Sequence, residues 1–143
     1  MKKYFILGLS LLITCCIYAQ DEIKVACVGN SITYGTGVAE REKNAYPVKL
    51  QQMLGDKYEV GNFGKPGATL LNKGHRPYTQ QQEYMDALAF AGDIVVIHLG
   101  INDTDPRNWP NYRDEFIGDY RSLMQSFREV NPKVRFLLAR MTP

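Results

Sequence analysis

Residues with the chemistry of acyl transfer follow three apolar segments of this sequence. Ser31 lies in GNSIT directly after the first segment, Gly64 in NFGKPGAT at the end of the second, and Asn102 in GIND after the third. Ester hydrolysis by a serine requires a nucleophile, a base and hydrogen-bond donors for the oxyanion. The Ser31 hydroxyl could attack, and the Gly64 amide and the Asn102 side chain could donate to the oxyanion. Together they indicate a serine hydrolase site, provided that the fold brings the three loops together.

The segments that precede these residues have the pattern of buried parallel strands. Segments 23–29 and 93–100 are almost continuously apolar, which is typical of strands covered on both faces. Further strands are predicted at 57–64 and 133–143, and helices at 44–55, 79–92 and 111–132. This alternation predicts an α/β fold with a parallel sheet and helices on both faces. Because sites in such sheets form beyond the carboxyl ends of the strands, the three loops should meet at one edge.

The start of the chain predicts export. Lys2 and Lys3 precede an apolar stretch that ends at Ala19, which is the pattern of a secretory signal cleaved after that residue. The apolar run of about 16 residues is shorter than the roughly 20 that a membrane-spanning helix needs. We therefore expect residues 1–19 to be a signal peptide and residues 20–143 to form one domain of a secreted or periplasmic protein.

Cysteine usage gives no sign of a disulfide or a cysteine metal cluster in the mature chain. Cys15 and Cys16 lie in the predicted signal, where a lipid anchor through either one is the alternative to simple cleavage. Only Cys27 remains, within the first apolar strand, and we expect it to be a small core residue.

The charge balance argues against a nucleic-acid partner. The chain has 17 Lys and Arg residues against 15 Asp and Glu residues, and loss of the two signal lysines leaves equal numbers. We expect a small-molecule or glycan ester as the partner, and no membrane contact beyond a lipid anchor. The sequence indicates no particular oligomeric state.

The three motifs VGNSITYGTG, NFGKPGAT and HLGIND together resemble the SGNH hydrolases, also called the GDSL esterase/lipase family. The resemblance implies a three-layer, flavodoxin-like fold with a parallel sheet. It implies Ser31 as nucleophile and, through its amide, as oxyanion donor, with Gly64 and Asn102 as the other two donors. Asn30 stands where the first motif usually has Asp, a variant familiar among carbohydrate-acting members. No metal or organic cofactor is implied.

The motifs are most similar to those of exported acetylesterases that act on sugars, including sialate O-acetylesterases. The implied reaction is removal of a small acyl group, most plausibly acetyl, from a carbohydrate. The alternatives are a non-catalytic carbohydrate-binding remnant of the same fold, and a lipase or thioesterase. The sequence shows no large apolar lid, which disfavours long-chain lipids.

The family's fourth motif, Asp-x-x-His, does not occur in this sequence. Its His acts as the base in the family, and its Asp orients that His. His98 lies inside the third apolar strand, where a core or supporting role is expected. His75 lies in the loop after the second motif, where it could line the substrate mouth or be an ordinary loop residue. Neither is assigned as general base.

The remaining substrate-binding candidates are Asn30, His75 and Arg107, the last because its position could bring it to a carboxylate such as that of sialic acid. Asp103 and Asp105 could suggest a metal site, but a capped, solvated turn is the expected structure there, and no metal site is predicted. The sequence stops at Pro143, directly after a predicted strand that a helix usually follows in doubly wound folds. We therefore expect an SGNH-type fold that looks cut short at its carboxyl end.

Overall fold

The apolar segments form one sheet in the structure, a computed structural model that describes residues 22–140. The helices and strands are β1 (Ile23–Gly29), α1 (Ser31–Tyr34), α2 (Arg41–Asn44), α3 (Tyr46–Leu54), β2 (Tyr58–Gly64), α4 (Gln82–Phe90), β3 (Ile94–His98), α5 (Trp109–Tyr112), α6 (Phe116–Val130) and β4 (Arg135–Leu138). Short 3₁₀ turns lie at Tyr78–Gln80, Asn102–Thr104 and Arg113–Glu115. The predicted signal at 1–19 and the last residues of the final predicted strand lie outside the described residues.

The sheet has the strand order β2-β1-β3-β4, and every pairing is parallel. Gly29, the last residue of β1, pairs with Gly64 of β2 on one side and with His98 of β3 on the other. Three strands therefore end level with one another, and the loops that follow them leave the same edge. The predicted parallel α/β fold is confirmed.

The main core lies between the sheet and the helices α4 and α6. Alternate strand residues Ala26, Val28, Val95 and Ile97 are fully buried there. They pack in one cluster with Ala87 of α4 and with Leu123 and Phe127 of α6. The apolar residues of α6 recur every three or four positions, which puts them in one stripe along the helix, and this stripe packs against the sheet.

The opposite face of the sheet carries α3. The Gln51 side chain accepts from the Val60 amide (2.7 Å) and donates to the Tyr58 carbonyl (2.8 Å), which fixes α3 beside β2. Cys27 points into this layer and is fully buried, as predicted for a core residue. Burial raises the pKa of the Cys27 thiol to about 11, so the thiol is neutral and unreactive at neutral pH.

Helix boundaries differ from the predicted ones where loops compete with the helical pattern. The helix predicted at 44–55 does not begin at Asn44, because Asn44 ends α2 and its side chain donates to the Ala39 carbonyl (2.8 Å). The longer helix begins instead at Tyr46, with Pro47 in its first turn, where a missing N–H costs nothing. Gly55 ends it with a positive φ of 73°, as the sequence predicted. Among residues 22–140, no helix has both the length and the hydropathy to cross a bilayer.

The short helix α1 lies directly on the ends of β1 and β2. A Cβ atom added to Gly64 would be 2.1 Å from the Tyr34 nitrogen and 2.7 Å from the Thr33 carbonyl carbon. A Cβ atom added to Gly29 would be 2.0 Å from the Thr33 Oγ1 atom. Only glycine permits this approach, so these two residues determine where α1, and with it Ser31, can sit.

A buried carboxylate joins the loop after β2 to the loop after β3. Asp103 is fully buried and accepts hydrogen bonds from the amides of Leu70 (2.9 Å) and Leu71 (2.6 Å). Burial raises the pKa of the Asp103 carboxyl, and the amide hydrogen bonds, which favour its charged form, offset only part of that rise. The expected solvated turn is therefore wrong at Asp103, because the carboxylate points inward to satisfy backbone donors that no strand or helix partners.

Replacing Gly64 with Ala should destabilise the fold by about 3 kcal/mol, because the new methyl group meets backbone atoms that cannot move independently. Urea unfolding of Gly64→Ala and wild type measures the difference. Gly118→Ala is the matched control, since Gly118 lies in α6 with open space around it. That control should gain roughly 0.5–1 kcal/mol from the better helix propensity. An unchanged midpoint for Gly64→Ala would contradict the close approach of α1.

Asp103→Asn should cost about 1–3 kcal/mol, since the amide group would turn one N–H toward the amide of Leu70 or Leu71 and leave a buried donor without an acceptor. Asp114→Asn makes the same chemical change at an exposed carboxylate, which lies 3.7 Å from Arg113, and should leave the unfolding midpoint unchanged. Equal midpoints for the two variants would show that Asp103 does not hold the two loops together.

Candidate active site

Ser31 is the first residue of α1, at the carboxyl edge of the sheet, and its side chain is half-buried. Asn30 precedes it as the N-cap, and its Oδ1 accepts from the Ile32 amide (3.0 Å). The turn closes at Gly35, whose φ is +94° and whose amide donates to the Ser31 carbonyl (2.9 Å). The amide of Ser31 itself, as the first helical N–H, has no acceptor within the helix.

Asn30 does not have the substrate-binding position that the sequence analysis gave it. Its side chain is fully buried and its oxygen caps α1, so Asn30 stabilises the turn and is not exposed to a substrate. Within the part of the chain that the structure describes, the Asn30 Nδ2 atom has no hydrogen-bond partner.

The loop after β2 approaches α1 through backbone contacts. The Lys65 amide donates to the Gly29 carbonyl (2.8 Å), which continues the β1–β2 pairing past the strand end. The Gly64 amide, expected to be an oxyanion donor, donates instead to the Asn62 side-chain oxygen (3.0 Å). Because its single N–H is already bonded, Gly64 is not free to bind an oxyanion in this structure.

Gly67 is the residue that the sequence analysis missed. Its φ is +78°, a conformation that favours glycine, and its amide donates to no backbone carbonyl among residues 22–140. The signal was present in NFGKPGAT, where a second glycine follows Pro66, but the sequence alone does not show which of the two amides is occupied.

Asn102 joins the loop after β3 to the loop after β2. It begins a 3₁₀ turn, and its Nδ2 atom donates to the carbonyl of Ala68 (2.8 Å), the neighbour of Gly67. An amide nitrogen carries two hydrogens, so the second one remains for a ligand. The structure thus gathers the Asn102 side chain and the Gly67 amide on one side of the edge at which Ser31 begins α1.

Asn108 is a second residue that the sequence gave no reason to single out. It is 1% exposed, and its Oδ1 atom accepts from the His75 amide (3.0 Å). Its Nδ2 atom donates to the Asn102 carbonyl (2.9 Å) and lies 2.9 Å from Nδ1 of the His75 ring. His75 lies 33 residues before Asn108, so no local pattern identifies the contact between them.

A cavity of about 380 Å³, here called the side hollow, opens beside Asn102. The residues that line it are His75, Ile101, Asn102, Thr104, Asp105 and Arg107. Two predicted substrate-binding residues, His75 and Arg107, therefore share one cavity with Asn102, whereas Ser31 is not among its lining residues.

Arg107 is not a free cation in the side hollow. Its Nε and Nη2 atoms donate to the two carboxylate oxygens of Asp105 at 2.9 and 2.8 Å. These hydrogen bonds hold the pKa of the Asp105 carboxyl well below its usual range. An acidic sugar at Arg107 would have to compete with Asp105 for the guanidinium group.

The two histidines have different environments. His98 ends β3 and is 8% exposed, which confirms the predicted core position. His75 is exposed, and its Nδ1 atom is occupied by Asn108. Among the described residues, no group of three His, Cys, Asp or Glu side chains could hold a metal ion.

Comparisons with known proteins agree with the family and the fold that the sequence predicts. Residues 27–143 match the model of the GDSL-like lipase/acylhydrolase family. An acetylxylan esterase of Xylanibacter ruminicola is 50% identical over 109 residues, which cover 76% of this chain and 22% of that protein. AlinE4, a solved SGNH-hydrolase family esterase, matches with a TM-score of 0.59 at 19% identity, over 82% of this chain and 58% of that one.

A mutant of the esterase AlinE4 matches with a TM-score of 0.60, also at 19% identity, over 86% of this chain and 62% of the mutant. The chain thus spans less than two thirds of these solved structures and 22% of the acetylxylan esterase. At 19% identity the solved structures show the fold, which is that of SGNH hydrolases. Because the family match runs from the first strand through all three polar loops, the chain belongs to the GDSL-like lipase/acylhydrolase family.

Proposed function

We propose that this chain carries the nucleophile and the oxyanion site of a carboxylic ester hydrolase that removes acetyl groups from carbohydrates. The observation that carries the proposal is the convergence of Ser31, the Gly67 amide and the Asn102 side chain at one edge of the sheet. In this reaction the Ser31 Oγ atom bonds to the ester carbonyl carbon, and the carbonyl oxygen takes up the negative charge. Collapse of this intermediate releases the sugar hydroxyl, and water then releases acetate from the acyl-enzyme.

The oxyanion would accept from the Ser31 amide, the Gly67 amide and the free hydrogen of Asn102 Nδ2. The resemblance to the family assigned this role to Gly64, but the bond from that amide to Asn62 favours Gly67. One such donor typically lowers the barrier by about 3 kcal/mol. The base that takes the Ser31 proton is not assigned, since His98 is buried in β3 and Nδ1 of His75 is bonded to Asn108.

A neutral acetylated sugar fits the site better than an acidic one. The relative that shares 50% identity is an acetylxylan esterase, which supports an acetyl ester on a carbohydrate as the substrate class. O-acetylated sialic acid is disfavoured, because Arg107 is already neutralised by Asp105.

Ser31→Ala should reduce hydrolysis of p-nitrophenyl acetate by more than about a thousandfold in kcat, because the nucleophile is lost. Release of p-nitrophenol measures the rate. Ser122→Ala, which removes an exposed hydroxyl from α6, is the control and should keep the wild-type rate. If the wild-type chain is no faster than Ser31→Ala, the hydrolase proposal fails and the non-catalytic carbohydrate-binding alternative is favoured.

Asn102→Ala should lower kcat by about 10²–10³-fold and change KM little, since an oxyanion donor acts chiefly on the transition state. Asn44→Ala removes another side-chain amide that bonds a loop carbonyl, in this case the exposed contact with Ala39, and serves as the control. The unfolding midpoint of each variant separates lost stability from lost catalysis. A rise in KM at constant kcat would instead place Asn102 in ground-state binding.

A further inference from the structure

Asn108 has an amide orientation that the chain itself determines. Its Oδ1 atom accepts from the His75 N–H, and its Nδ2 atom donates to the Asn102 carbonyl. Rotating the amide by half a turn would set a donor against the His75 N–H and an acceptor against the Asn102 carbonyl. Because the side chain is 1% exposed, water cannot replace the two lost hydrogen bonds.

This fixed amide determines which nitrogen of His75 carries the proton. The Asn108 Nδ2 group is a donor, and it lies 2.9 Å from Nδ1 of the ring. A ring nitrogen that accepts a hydrogen bond has no proton of its own, so neutral His75 holds its proton on Nε2. The ring is exposed and lines the side hollow. His75 therefore offers a fixed N–H donor on the opposite side of the ring from Asn108.

The same buried amide also holds Asn102, because the second Nδ2 hydrogen is donated to the Asn102 carbonyl. One side chain thus fixes the distance between the His75 ring and the residue that we propose as an oxyanion donor. If the carbonyl oxygen of the ester contacts Asn102, the part of the sugar next to the ester would lie in the side hollow, beside His75.

The side hollow suits a neutral polyhydroxylated ligand. Its volume of about 380 Å³ lies within the roughly 300–1,000 Å³ that small-molecule pockets occupy. Asp105 and Arg107 in its lining form an ion pair with each other, and the other polar side chains of the lining, His75, Asn102 and Thr104, can form hydrogen bonds.

We propose that Asn108 is a positioning residue that fixes His75 as an Nε2–H donor to a sugar hydroxyl beside the ester, in the side hollow. The proposal rests on the proposed function and names the place of the sugar ring within it. His75 contacts the substrate, and Asn108 acts through His75.

The first test is the tautomer of His75 in the full chain, read from two-bond ¹H–¹⁵N correlations of its ring. Wild type should show the proton on Nε2. Asn108→Asp keeps the shape of the side chain but replaces the donor with an acceptor, so at the alkaline pH used for both tests, where the ring is neutral, the proton should move to Nδ1. Asn111→Asp adds the same charge at an exposed asparagine three residues away and should leave the tautomer unchanged. A proton on Nδ1 in wild type, or no change in Asn108→Asp, overturns the proposal.

The second test is binding of xylotriose, followed by titration of the His75 ring resonances. This probe needs no catalysis, so it remains informative whichever way the hydrolysis assays turn out. Wild type and Asn111→Asp should show saturable shifts with one dissociation constant, and Asn108→Asp should bind about tenfold more weakly, the value of one neutral hydrogen bond. His75→Ala, followed through other side-hollow resonances, should bind as weakly as Asn108→Asp, and the double variant should bind no more weakly than either.

Saturable binding that is equal in wild type and Asn108→Asp overturns the proposal, and so does the absence of any saturable shift at His75. An additional loss in the double variant would show that Asn108 does not act through His75. Failure of the proposed function is recognised separately, by equal hydrolysis of p-nitrophenyl acetate in wild type and Ser31→Ala, since that ester has no sugar to occupy the side hollow.

Discussion

The turn that carries Ser31 rests on the backbone of two strand ends, and both strand ends are glycine. Gly29 faces the Thr33 side chain and Gly64 faces the backbone of Tyr34, at distances where no Cβ atom fits. The Thr33 hydroxyl, which lies against Gly29, also hydrogen-bonds to the Tyr46 hydroxyl of α3 at 3.2 Å. The helix α1 thus packs against the sheet at Gly29 and Gly64, and it is bonded to α3 through Tyr46. The position of the nucleophile follows from these contacts, because a four-residue helix has too few internal hydrogen bonds to be stable alone.

The loop after β3 organises the loop after β2 through side chains that bond to backbone. Asn102 donates to the Ala68 carbonyl, Asp103 accepts from the Leu70 and Leu71 amides, and Asn108 accepts from the His75 amide. The loop from 65 to 77 contains no helix and only an isolated bridge, between Thr69 and Pro77, so polar side chains bond to backbone groups that regular structure would otherwise pair. The segment INDTDPRN has the composition of an exposed turn, yet it places buried asparagine and aspartate side chains against its neighbour. The same contacts that stabilise the loop also set the positions of the site residues.

The sheet and its helices could be predicted from the sequence because their signals are local. Continuous apolar runs gave the parallel strands, and the spacing of Leu123 and Phe127 gave the buried stripe of α6. The polar loops could be placed at one edge because parallel strands share a direction. The choice between Gly64 and Gly67 could not be made, because it depends on whether Asn62 turns its oxygen toward one amide. The burial of Asp103 and of Asn108 could not be predicted for the same reason, since both side chains bond to backbone amides 32 or 33 positions earlier.

The geometry separates the acyl side of the site from the sugar side. Ser31 lies outside the side hollow, Asn102 lies at its border, and His75 and Arg107 lie within it. In the proposed reaction, an ester whose carbonyl oxygen binds at Asn102 extends its sugar ring into the side hollow. In the proposed reaction the acyl group lies toward α1, where the backbones of β2 and α1 are in close contact at Gly64. A short acyl chain on a bulky polar alcohol would fit this arrangement, which agrees with the proposed acetylated carbohydrate rather than with a lipid ester.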